Sequence, residues 1–332
     1  MSASEDPSAH TAPSSAWSSL VRRSIAIWET TALLPPQAMA KGLLQKYTDI
    51  EEFLRETPKL LMYWFFQRRK SFMEQKTMTK WNRDNLDDYI LLPATPGSVS
   101  RAECFFVSHY WHSAEDPDPG GKYLRLMQHD LRQKSWSFVW VDWTCVPQHP
   151  RSPEEEAYFT RVLQTMSGII RNSGFMYYYP PFQPRLWILY EVAENFLTSV
   201  KHPEETPDLK PFAEHVREMV RAGVRPTLER HGYRCTYEGD KDFLVSWLEL
   251  LVLLNKLSID IVDLRLLVDY LTWGPGVKSL IQVTSSGQPV HVRRFEGGVE
   301  YARERHSFTS FPEWVNGKFL TKNQSDKGGA KQ

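Results

Sequence analysis

The sequence predicts an α/β protein: a parallel sheet covered by helices, preceded by a helical extension and followed by a mostly helical one. Three near-continuous apolar runs, FFVSHYW (105–111), WSFVWVDW (136–143) and FMYYYPP (175–181), have the character of strands buried on both faces. Amphipathic stretches at 122–135, 154–174 and 184–197 follow them in turn through short connections, which gives the order β-α-β-α-β-α.

Taken in order, residues 1–15 are rich in Ser, Ala and Pro and are expected to form a disordered tail. Residues 16–102 are expected to form a helical extension and a linker. SSLVRRSIAIWETTALL and DIEEFLRETPKLLMYWFFQRRKSF place apolar residues three and four apart, with Asp49 as an N-cap, and the linker starts at Trp81. The α/β core covers 103–200. Its first helix sets Tyr123, Leu124, Met127 and Leu131 on one face. Its second starts acidic, closes at Gly174, and turns Phe159, Leu163, Met166 and Ile170 inward. Residues 201–315 form an α+β extension packed on the core. It has one or two Leu- and Val-rich helices at 241–273 and a hairpin at 279–298 that turns near 285–288. A flexible tail, 316–332, is expected at the end.

Composition narrows the function classes. The chain has 332 residues, 41% hydrophobic and 24% charged, enough to bury a real core, and its 12 Trp suggest many semi-buried rings or a ring-lined pocket. Lys plus Arg and Asp plus Glu are both 40, so no global charge draws the chain to nucleic acid or to a membrane surface. Two local basic stretches, 67–81 and 217–234, read as solvated faces, with tRNA the nucleic-acid partner left open. The cysteines Cys104, Cys145 and Cys235 are odd in number and widely spaced, which suits core thiols in a reducing compartment. The N-terminus has no hydrophobic signal core and LLMYWFF (60–66) is too short to span a bilayer, so a cytoplasmic protein without a membrane partner is expected.

In a parallel sheet, ligands sit beyond the carboxyl ends of the strands. Residues 108–119, 142–148 and the loop after Tyr179 would gather there. Ser108 and His109 alternate sides, so at most one should face the core, and Ser108 also reads as a strand-end hydroxyl capping the next turn. A Ser/His/Asp hydrolase is disfavoured because no Gly-x-Ser-x-Gly elbow is present. His109 and His112 with Asp116 and Asp118 could suggest a metal. Their spacing is not helical, and Pro117 and Pro119 stiffen the loop, so no metal is expected.

FFVSHYW, DPDPGGKY, VWVDWTCVPQ and RLWILYE in that order resemble a TIR-like domain, and more narrowly the branch that shades into the HET (heterokaryon incompatibility) domain. VWVDWTCVPQ (139–148) is similar to the HET strand with its Trp-Val-Asp, Cys and Gln. Trp187-x-x-x-Glu191 stands where TIR domains carry a helical Trp-x-x-x-Glu. The resemblance covers about 103–200. It departs from the family in Ser-His for Ser-Tyr and in the PDPGG loop.

The resemblance implies a flavodoxin/TIR-like fold, a nucleotide ligand, no tightly bound cofactor, and NAD as substrate, cleaved at its nicotinamide–ribose bond. Glu191 is then the catalytic candidate, with Glu194 one turn later as the decoy. A carboxylate there would stabilise the oxocarbenium charge that develops on the ribose. Trp111, Trp143 and Trp187 would supply apolar walls for the rings, Ser108 and amides of the 108–121 loop would take phosphate oxygens, and His109 is a further ligand-binding candidate. Asp142 would orient ribose hydroxyls or cap the 144–148 loop. Gln148 and Arg185 complete the set, Arg185 pairing with a phosphate or with Glu191. Two other readings stay open: a non-catalytic, self-associating signalling module, with a homo-oligomer as its state and the 243–271 stretch as a second-choice oligomer face; and a biosynthetic transferase on a Rossmann-like sheet, using a nucleotide- or tRNA-activated substrate.

Overall fold

The computed structural model describes residues 15–29, 35–178, 182–200, 206–235, 237–274, 277–315 and 318–320. The expected tails lie outside the described residues, except for Ser15 and Lys318–Leu320.

Helices α1 (Ser15–Trp28), α2 (Pro35–Leu44) and α3 (Ile50–Glu56) come first, and Asp49 caps α3 by accepting the Glu52 amide at 2.8 Å. The helical extension then departs from expectation. The aromatic run after Pro58 is strand β1 (Tyr63–Arg68), a short helix α4 (Arg69–Glu74) follows, and the supposed linker contains strand β2 (Tyr89–Pro93). A short apolar run carries no period that separates helix from strand. The consecutive rings Tyr63, Trp64, Phe65 and Phe66 are all buried and suit a pleated strand covered on both sides.

The core follows as β3 (Cys104–His109), α5 (Lys122–Arg132), β4 (Phe138–Val141), the short helix α6 (Asp142–Cys145), α7 (Pro153–Asn172), β5 (Gly174–Tyr178) and α8 (Leu186–Leu197). β4 is shorter than the apolar run because the chain turns helical at Asp142. Ser152 and Glu155 form a reciprocal capping box at α7, with Pro153 in its first turn. α7 is rotated slightly from the expected face. Tyr158, Val162, Met166, Ile169 and Ile170 are its buried apolar residues, whereas Phe159 and Leu163 are only partly buried. β5 starts at Gly174 because the Phe105 ring leaves no room there: an added Cβ would lie 2.5 Å from Phe105 Cε1.

The sheet runs β2-β1-β4-β3-β5 and is mixed, which corrects the expected all-parallel sheet. β3 is parallel to β4 and β5, whereas β1 is antiparallel to both β4 and β2. The antiparallel β1–β2 pair joins the edge of β4 that the three-stranded unit would leave unpaired. α5 covers one face, packing Leu124, Met127 and Leu131 with Val107, Val139 and Val141. α7 and α8 cover the other, where Phe106 stacks between Trp140 and Phe175 at 5.1 and 5.8 Å.

Beyond the core come α9 (Lys210–Ala222), α10 (Val224–Arg230), α11 (Glu238–Lys256) and α12 (Ile261–Trp273). A four-stranded antiparallel meander follows: β6 (Ser279–Val283), β7 (Pro289–Arg293), β8 (Gly298–Tyr301) and β9 (Glu304–Ser307). β10 (Glu313–Val315) pairs with β11 (Lys318–Leu320). The 241–273 stretch is thus two helices, and the expected hairpin is the start of the meander. One hydrophobic cluster runs from Trp17 through the sheet to Trp247 and Phe311, so both extensions share a core with the parallel strands.

Candidate functional site

β3 lies between β4 and β5, and the chain leaves β3 toward one neighbour and later returns on its other side. The connecting helices α5 and α7 lie on opposite faces, so a crevice is expected outside the carboxyl ends of β3 and β5. Ser108 and His109 end β3 there. Both are buried, at 3% and 4% exposure, against the expectation that only one would be. They do alternate sides, but helices cover both faces, so each meets a separate environment.

On the α8 face, Ser108 lies near Glu191. The Glu191 carboxyl is pushed up to about 8 by burial, pulled back in part by the Ser108 hydroxyl and raised slightly by the charge of Asp142. Ser108 Oγ and Glu191 Oε2 are both buried without a partner of ordinary hydrogen-bonding geometry, and among the described residues no cation pairs with Glu191. Arg185 does not reach it; its guanidinium sits over the Tyr110 ring, 5.2 Å from the centroid. Glu194 is the opposite case. It binds Arg171 Nη1 and accepts from Trp247 Nε1 at 2.6 Å, and Arg171 is also held by Asp269 at 2.6 Å.

On the α5 face, His109 Nε2 lies 3.3 Å from Asp142 Oδ1, its Nδ1 3.1 Å from the Tyr110 carbonyl, and its ring beside Trp111 and Tyr123. Asp142 Oδ1 accepts its neighbour's amide at 2.7 Å at the start of α6, and its side chain is 41% exposed. Trp143 is buried, donates to the Met78 carbonyl at 3.2 Å, and meets the half-buried Trp111 edge-on at 5.3 Å. Gln148 is a brace: its amide donates to the carbonyls of Asp142 and Val146, both at 3.0 Å. Trp187 donates to Asp240 Oδ2 at 3.2 Å, which ties α8 to the start of α11.

The structure therefore divides the expected residues. Ser108 and Glu191 form one group, His109, Trp111, Asp142 and Trp143 another across the sheet, and Tyr110 with Arg185 lies at the edge. Trp187 and Gln148 have structural bonds. Where the 108–121 loop enters α5, the Asp118 carboxylate accepts the Tyr123 and Leu124 amides at 2.9 and 2.8 Å, which places a negative charge at that helix start. Several cations of the basic stretches are also engaged, Arg69 with the Arg132, Lys134 and Trp136 carbonyls and Arg225 with Glu249.

A cavity of about 410 Å³ opens along β5, with His129, Asp130, Lys134, Phe175 and Tyr178 among its lining, and includes none of the expected site residues. Burial pushes the Cys104 thiol up to about 12 and Cys145 to about 11, so both are inert core groups. Among the described residues, no group of three or more His, Cys, Asp or Glu could hold a metal, and no helix is long and apolar enough to cross a membrane. Sequence reasoning missed two buried arginines, Arg161 and Arg294. For Arg161 a signal existed, since it follows Tyr158 by three positions and precedes Thr165 by four on the buried face of α7.

Compared with protein-family models, curated proteins and solved structures, the chain matches none.

Proposed function

We propose that the chain has a TIR/HET-like, flavodoxin-like core that binds a dinucleotide at the carboxyl edge of β3 and β5 and hydrolyses the nicotinamide–ribose bond of NAD. The observation that carries this reading is Glu191, a buried carboxyl without a counter-charge, next to a hydroxyl at the expected ligand edge. An acid so placed serves a function more readily than it serves stability, because a paired or apolar residue would pack there at lower cost.

The cationic nicotinamide ring of NAD would supply the missing positive charge and favour ionised Glu191. As the C1′–N bond breaks, its electron pair leaves on nicotinamide, which becomes neutral, and positive charge moves to the ribose beside the carboxylate. A water oxygen then bonds C1′ and releases a proton, giving ADP-ribose. Arg185 over Tyr110 is the cation best placed to meet the pyrophosphate, and the part-buried Trp111 is a ring that can stack on a base.

Nicotinamide release from NAD tests the proposal. Glu191→Gln should lower kcat on the order of 10²-fold or more. In the wild type, kcat/KM should rise with pH up to about 8 and then level off, as Glu191 of the free enzyme ionises. If the wild type releases no more nicotinamide than Glu191→Gln, including at concentrations where it self-associates, the hydrolase reading is lost.

A further inference from the structure

We propose that the protein binds a small oxyanion of phosphate chemistry in its interior, between α7, α8 and the loop after β7, with Arg161 and Arg294 as its principal ligands. The site is separate from the Glu191 carboxyl and does not depend on its role.

A guanidinium removed from water needs a counter-charge or a full set of acceptors. Arg171 on α7 has both, in Glu194, Asp269 and Thr272. Arg161, on the same helix, has neither. It is 2% exposed, and its one hydrogen bond runs from Nη1 to Gln164 Oε1 at 2.8 Å. Its Nε and Nη2 are buried without partners. Those two N–H groups form the side edge of the guanidinium, the edge that matches two oxygens of a single oxyanion.

The surroundings add donors. Because Arg161 holds Gln164 Oε1, the amide orientation is fixed and Gln164 presents Nε2, which is also buried and unpartnered. Arg294 is 6% exposed and lies over the Phe311 ring; its Nη1 donates to the Leu271 carbonyl at 3.0 Å and its Nε has no partner. The Tyr190 hydroxyl, a neutral phenol near Arg294 with Ser167 beside it, makes no hydrogen bond of ordinary geometry. Every one of these unsatisfied atoms can donate. Among the described residues, no carboxylate pairs with either arginine.

Burial, with the neighbouring charge of Arg294, lowers Arg161 to about 9, and burial lowers Arg294 to about 10, so both remain cationic at neutral pH. A trapped water could accept from the donors but would leave two like charges uncompensated. An oxyanion satisfies the donors and the charge together.

The test uses the full chain, desalted in buffer free of phosphate and sulfate. Two quantities are read: phosphorus released on acid denaturation, and the thermal midpoint as inorganic phosphate or ADP-ribose is added. Expected are stoichiometric phosphorus in the folded protein, or a midpoint that climbs with ligand concentration as native-state binding requires. Arg161→Met should abolish the response. Arg161→Lys keeps the charge but loses the fork, and should weaken apparent affinity roughly tenfold or more; it carries the test if the Met variant does not fold. A phosphate response that Arg161→Lys weakens identifies a free anion at this site, and an ADP-ribose response that Arg161→Lys weakens identifies the phosphates of a nucleotide; an ADP-ribose response that Arg161→Lys leaves unchanged belongs to the Glu191 site and overturns the proposal. Absence of phosphorus with a flat midpoint for both probes overturns the proposal, as does an equal response in wild type and Arg161→Lys.

Discussion

Helix α8 carries two buried acids one turn apart, with opposite surroundings. Glu194 is fully enclosed and held by Arg171 and Trp247, and Arg171 is shared with Asp269 on α12. It ties three helices together. Glu191 is also buried, at 9% exposure against 0% for Glu194, but its neighbours are a serine hydroxyl and the far charge of Asp142, and among the described residues no cation answers it. The comparison teaches that burial alone does not mark a functional acid. The absent counter-charge does, because a fold gains nothing from desolvating a lone carboxyl. α7 repeats the pattern with Arg171 satisfied and Arg161 not.

The largest expected effect tests the satisfied member. Glu194→Ala leaves Arg171 with Asp269 as its one counter-charge among the described residues and deprives Trp247 Nε1 of its acceptor, and should cost about 3–5 kcal/mol in denaturant unfolding. At pH 5, where Glu191 is protonated in the fold, Glu191→Gln should change stability by less than about 1 kcal/mol. Equal losses in the two variants would erase the distinction between the acids.

The pH dependence of stability sharpens it. The folded-state pKa of Glu191, about 8, lies above the ordinary carboxyl value of 4.5, so the native state holds a proton that the unfolded chain has lost. The stability this contributes is fully present below about 4.5 and is lost as pH rises through 8, with a slope of at most about 1.4 kcal/mol per pH unit. Histidines titrate in the same window, so the quantity to measure is the difference between wild type and Glu191→Gln. That difference should fall steadily from pH 5 to 8 and be flat above about 8.5. A flat difference across the whole window means that Glu191 is ionised in the fold, with a compensating group nearby.

The three parallel strands and their helices were legible because each has its own period and its own punctuation, such as Ser152-Pro153 before α7 and the prolines of the 115–121 loop. β1 and β2 were not, because an aromatic run of six residues reads equally well as part of a helix until its sheet partners are known. The sheet consequently came out mixed. At the site, Glu191 was singled out by the resemblance of Trp187-x-x-x-Glu191 to the TIR helix, and the structure puts it near Ser108. The division of the site across the sheet was not foreseen, because that needs to be known which face each helix covers. Arg161 and Arg294 illustrate the hardest class: α7 and the β7–β8 loop come together only through tertiary packing, and neither local sequence shows that the other charge is close.

The smallest effect discriminates between the two roles first considered for Ser108. If the hydroxyl caps the turn after β3, Ser108→Ala should cost about 1–2 kcal/mol and leave Glu191 unchanged. The geometry favours the other outcome. Ser108 Oγ has no completed hydrogen bond, so its removal should change stability by less than about 0.5 kcal/mol. The same hydroxyl is the group that pulls the Glu191 carboxyl down against burial, so the alanine variant should push it further up. The pH at which the stability difference levels off should therefore move upward while the unfolding midpoint at pH 5 stays in place. A substitution that shifts a titration without shifting stability acts on the acid and not on the fold.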